Sequence, residues 1–98
     1  MLLRGKRSTA YRKENMQIHA IYDNDGKTLD RFTILTEPWY FGKSCDALCV
    51  SNNPTHPQYG VSQWSEAYEG KHLGRKISFA QLPKNVQDHI LERLSDEG

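Results

Sequence analysis

QIHAIYDNDGKTLDRFTILT, residues 17–36, is the stretch from which the fold is read. Residues 17–22 alternate with period two, setting Ile18, Ala20 and Tyr22 against Gln17, His19 and Ile21, the pattern of a half-buried strand. Asp23-Asn24-Asp25-Gly26 follows, and Asp-Gly is a strong hairpin signal because glycine takes positive φ without steric penalty. The return strand is expected over Thr28–Thr36, where Thr, Phe and Ile suit a pleated surface. The DNDG tetrapeptide is similar to the opening of a calcium loop, but a further acid is missing ahead of its glycine, and Ile34 stands in place of the closing Glu. It therefore reads as a turn.

On the C-terminal side, Glu37-Pro38 ends the strand and Trp39, Tyr40 and Phe41 follow. Three adjacent aromatic rings cannot share one face of a strand. Core packing is expected, with at least one ring capping an open edge of the core or standing exposed. Gly42-Lys43-Ser44 reads as a turn. It is not the end of a phosphate-binding loop, which needs a glycine where Glu37 stands. Cys45–Ser51 predicts a third strand, with Cys45, Ala47 and Cys49 on one face and Leu48 and Val50 on the other. The spacing of Cys45, Cys49, His56 and His72 fits no common zinc pattern. Residues four apart on a strand also stand ~13 Å apart, so the thiols read as small buried hydrophobes and no metal is assigned.

Val50–Trp64, VSNNPTHPQYGVSQW, is the part of the chain densest in residues that restrict the backbone and offer polar side chains. Residues before proline are pushed towards extended geometry, and a pre-ordered loop lowers the entropy lost on binding. Val61–Tyr68 predicts a fourth strand. Residues 69–76, EGKHLGRK, form a second polar loop, and Lys76–Phe79 a short strand or turn. Pro83 suits a helix start, and Val86, Ile90, Leu91 and Leu94 recur at helical spacing over Lys84–Leu94. His89 sits beside that stripe, Asp88 and Arg93 are expected to face water, and Ser95–Gly98 to fray. The fold class is α+β: an antiparallel meander of four to five strands with one C-terminal helix packed on one face, strands adjacent in chain order.

Towards the N-terminus, residues 1–14 read as a basic, flexible arm and residues 15–98 as a single domain. Arg4, Lys6, Arg7, Arg12 and Lys13 precede the first acid, Glu14, and could touch phosphate by charge alone. The whole chain of 98 residues has a net charge of only +1, so composition makes no global case for nucleic acid. Two cysteines make no disulfide framework, no apolar run reaches the length of a membrane span, and no apolar segment of a signal peptide follows Met1. A cytoplasmic setting is expected, with no membrane and no cofactor.

Asn53–Pro57, Gly60-Val61, His72–Ile77 and Leu82–Gln87, together with Asp30–Thr33, resemble a group of small uncharacterised phage, plasmid and bacterial proteins. Their pattern is an Asn-Pro-x-His-Pro loop, a His-Leu-Gly-Lys/Arg-Lys/Arg-Ile turn and a Leu-Pro-x-x-Val-Gln helix. The resemblance spans residues 28–94, with Tyr59 as an insertion. It implies a mobile-element or bacterial setting and carries no activity with it.

The chain reads as a non-enzymatic binding module for a host protein, nucleic acid or a small nucleotide. Arg31, Asn52, Asn53, His56, Gln63, Lys71, His72 and Arg75 are the candidate ligand contacts: amides for base edges, cations for phosphate. The basic arm, Arg4 to Lys13, is a candidate nucleic-acid contact. One alternative is a small hydrolase or nuclease using His56 or His72 with Asp46, Glu66 or Glu69, although no catalytic motif is present. Another is a homo-oligomer packed through residues 39–41.

Overall fold

Alternating apolar residues and turn signals produce five strands, and one apolar stripe produces the helix. The elements are β1 (Ile18–Asp23), β2 (Phe32–Thr36), β3 (Cys45–Val50), β4 (Ser62–Ala67), β5 (Arg75–Ile77) and α1 (Lys84–Glu97), with short 3-10 turns at Lys71–Leu73 and Phe79–Gln81. The computed structural model describes residues 17–97. The basic arm, with Arg4, Lys6, Arg7, Arg12 and Lys13, lies outside the described residues.

The strands form one antiparallel sheet in the order β4-β3-β2-β1-β5. The first four strands meander in chain order. The fifth leaves that order: it joins the free edge of β1, pairing Ile21 with Ile77 and Asp23 with Arg75. The connection from Ala67 to Arg75 must therefore cross the sheet from one edge to the other. It also runs from the end where Ala67 meets Cys45 to the end where Asp23 meets Arg75.

Both faces of the sheet are covered. On one face Ile21, Ile34, Leu48 and Val50 meet Leu82, Val86, Ile90 and Leu94. The stripe of α1 is the i, i+4, i+8 set 86, 90 and 94; Leu91, one position off it, is 52% exposed, although the sequence places it in the stripe. The helix spans Lys84–Glu97, and Leu94 is the last buried residue of its stripe. On the opposite face Ala20, Tyr22, Leu35, Cys45, Ala47 and Cys49 pack against Trp39, Ala67 and Leu73. Ala and Cys dominate that face, and their small side chains leave room for a crossing segment instead of a second helix.

Two strand readings shift. A register irregularity between Ile18 and Ala20 moves Ile18 to the helix face, beside Ile21, and leaves Ala20 and Tyr22 on the other; simple alternation puts all three together. A β-bulge has this effect, because one extra residue flips every side chain beyond it. The return strand begins at Phe32, not Thr28, because Asn24 organises residues 24–31 into a wider turn. Its Oδ1 accepts from the amides of Gly26 and Lys27 at 2.9 and 3.1 Å, and its Nδ2 donates to the Thr28 hydroxyl at 2.7 Å. Among the described residues no helix is long and apolar enough to cross a membrane.

Candidate functional site

Asp23, the last residue of β1, anchors the site. It is buried, and a carboxylate out of water is tolerated only when paired and hydrogen-bonded. Arg31 binds it with two bonds, Nε to Oδ1 at 2.8 Å and a terminal nitrogen to Oδ2 at 3.1 Å. The amide of Asp25 donates to Oδ1 at 2.8 Å. Arg75, from the first position of β5, reaches Oδ2 and also Asp25, both at 3.2 Å. The Arg31 bonds hold the Asp23 carboxyl below its ordinary range against the opposing effect of burial, and the same bonds push Arg31 up. Gly74 lets β5 approach: its φ of 115° is in the region that favours glycine, and a side chain there would run into the Asp23 carbonyl.

This docking opens a groove of about 630 Å³ between the β1–β2 turn and the crossing segment. Lys27, Lys71, His72, Arg75 and Lys76 line it, with Asp25 as its acidic residue. Arg75 is held by Asp23 and Asp25, and Lys76 lies 3.8 Å from Glu69. Lys27 and Lys71 have no ion-pair partner among the described residues.

The crossing segment is latched near its start, at Glu69. His19 Nε2 lies 2.8 Å from Glu69 Oε1, and the Tyr22 hydroxyl donates to Oε2 at 2.8 Å. The His19 ring stacks on Trp39, centroids 4.4 Å apart and planes 9° from parallel. The bonds from His19 and then Tyr22 lower the Glu69 carboxyl. Burial, followed by the Glu69 bond, pushes the Tyr22 phenol up to about 12. Among the described residues the histidine bonded to a carboxylate is thus His19, not His56 or His72.

The candidates from the sequence separate into two groups. Lys71, His72 and Arg75 line the groove, and Arg31 stands behind it, bonded to the same Asp23 as Arg75. Asn52, Asn53 and His56 lie at the same end of the sheet, in the β3–β4 loop, but towards the other edge. β3 and β5 are three strand spacings apart, ~14 Å, and the β1–β2 turn lies between them. Gln63 is exposed on β4. His56 builds its own loop: the amides of Gln58 and Tyr59 both donate to Nδ1 at 3.0 Å, which places its neutral-form proton on Nε2. A side chain at Gly60 would run into the Pro54 and His56 carbonyls, so glycine is required by close approach alone. The carbonyls of Asn52 and Asn53 serve the fold, accepting from Asn85 Nδ2 at 3.2 Å and from the His56 amide at 3.0 Å.

Sequence reading leaves out Lys27 and Lys76 as groove residues, and Asp23 as their organiser. The available signal is an acid ending one strand, with Arg31 just before one strand start and Arg75 at another. On the helix side, expectation is corrected at Arg93, which donates to the Ser62 hydroxyl at 2.6 Å and to its carbonyl at 3.2 Å. His89 Nε2 is 2.6 Å from the same hydroxyl, and burial, then the charge of Arg93, lowers its pKa. Cys45 and Cys49 are buried free thiols pushed up by burial. Of the aromatic triplet, Trp39 packs inward, while Tyr40 and Phe41 are exposed.

The fold and site thus define a small α+β domain with a cation-lined groove at one end of its sheet. Comparison with family models, with curated proteins and with solved structures finds no match for this chain.

Proposed function

We propose that the domain is a non-enzymatic binding module whose ligand carries phosphate and is held in the groove between the β1–β2 turn and β5. The observation that carries this reading is that Lys27 and Lys71 project into the groove without ion-pair partners among the described residues. Arg75 and Lys76 stand beside them, already positioned by carboxylates. Preset cations bind an anion without first being ordered, which conserves affinity. Arg31 shapes the groove through Asp23 instead of meeting ligand. His72 supplies a further donor at the rim. The resemblance to phage and plasmid proteins supports a bacterial cytoplasmic setting in which nucleic acid and nucleotides are available.

The test is titration of labelled nucleic acid at two salt concentrations, using the full chain, a Lys27→Glu/Lys71→Glu variant and a chain lacking residues 1–13. The double reversal weakens binding and reduces the slope of log K against log salt by roughly 1.4, at ~0.7 per phosphate contact on a single strand. The truncation retains the groove-dependent part. Unchanged affinity and slope in the double reversal would sink the groove reading and move attention to the arm or to the Asn52–His56 loop.

A further inference from the structure

The groove occupies only one pole of the molecule. At the other, where β2 turns into β3, Lys43 donates its amide to the Tyr40 carbonyl at 3.0 Å across a turn with Gly42 at φ 77°. This leaves Phe41 at the tip, 90% exposed, beside Tyr40 at 64%. Tyr68, 59% exposed, leaves the sheet at the same pole, because it follows Ala67 and Ala67 pairs with Cys45. Three large rings in water at one pole contrast with the covered second face, where Trp39 and Tyr22 pack. The crossing segment joins the poles: Tyr68 stands at its start, Lys71 and His72 along it, and Arg75 and Lys76 at its end. A ligand following that segment meets an aromatic ring first and cations afterwards, over ~17 Å of strand length.

We propose that the ligand is a single-stranded nucleic acid, lying along the crossing segment with its phosphates at the basic groove and its bases stacked on Phe41, Tyr68 and Tyr40. This rests on the groove reading and specifies its ligand. Single strands offer unpaired base faces, which exposed rings stack on regardless of sequence, whereas a duplex hides those faces. An isolated nucleotide is too short to engage both poles. The rings supply base contact and the cations supply phosphate contact, so the two contributions are separable by experiment.

Binding of the full chain is measured at low salt to an oligothymidylate, to an abasic oligomer of the same length, to the matching duplex and to inorganic polyphosphate. The oligothymidylate binds tightest. Phe41→Ala alone weakens it about 5- to 150-fold, the range of losing one stacked base, Phe41→Ala/Tyr68→Ala weakens it further, and both leave polyphosphate binding unchanged. Phe41→Leu, apolar but without a ring, behaves like Phe41→Ala, and Phe41→Trp keeps affinity while its emission is quenched by the oligothymidylate. Equal affinity for oligothymidylate and abasic oligomer, a duplex bound as tightly, or a Phe41→Ala/Tyr68→Ala variant that binds like the parent overturns the stacking proposal and leaves the groove reading standing. Failure to bind any of the four polyanions overturns both.

Discussion

Arg31 shows how a residue's surroundings decide its part. The sequence offers it as a cation to meet phosphate. Its two bonds to buried Asp23 make it a structural counter-ion. Arg31→Ala leaves that carboxylate with Arg75 and the Asp25 amide and costs about 1.5–3 kcal/mol, read from chemical denaturation; a loss below half that value would show that the remaining partners suffice. His89 has the opposite electrostatic sign. Its folded-state pKa lies below the ordinary 6.5, so the unfolded chain takes up the proton first. Its contribution to stability is complete above pH 6.5, declines as pH falls below that value, and is gone once pH has passed through the folded-state pKa. Protonation there sets a charge beside Arg93, with Glu92 partly offsetting it. His89→Gln flattens the dependence of melting temperature on pH in that window. Asp23, held low by Arg31, gives a second window, its contribution present above pH 3.8 and lost as pH falls through the folded-state pKa. A profile of His89→Gln that retains the acid limb below pH 3.8 separates the two groups.

At the scale of elements, the β1–β2 hairpin is legible because Asp-Gly and the flanking alternation agree with each other. The stripe of α1 is legible for the same reason, since Val86, Ile90 and Leu94 share one face. The bulge in β1 is not, because no residue type near His19 marks it and only the pairing with β2 reveals it. The place of β5 is equally hidden. Three residues, Arg75–Ile77, have too little pattern to name a neighbour, and chain order favours β4. What decides it is the steric fit of Gly74 against Asp23 and the ion pairs of Arg75. Gly74→Ala therefore undocks β5 from β1: amide exchange rises at Ile77 and Tyr22, and polyanion binding falls with it, while amides in β3 stay protected. Protection of Ile77 equal to the parent's would show that the backbone accommodates the methyl group.

At the scale of the molecule, half of the candidate site was readable. The polar loop 69–76 announces cations, and Lys71, His72 and Arg75 do line one groove, with Arg31 joined to Arg75 through Asp23. The Asn-Pro-Thr-His-Pro loop draws the eye more strongly, yet its imidazole is taken up by the loop's own amides and the Asn52 carbonyl by Asn85 of α1. Residue types reveal what a loop can offer, and only three-dimensional pairing reveals what it has already used. Lys27 escapes notice because it sits in a turn with Asp25, and its place in the groove depends on a strand 52 residues further on, the distance between Asp23 and Arg75.

That separation governs the order of events during synthesis. The β1–β2, β2–β3 and β3–β4 pairings join neighbours in the chain and close over short loops, which keeps their entropic barrier low. The β1–β5 pairing closes over the whole meander and waits until Arg75 has been made. A ribosome-bound chain can therefore complete most of its sheet while still lacking the groove, and the proposed polyanion site is assembled as one of its last acts of maturation.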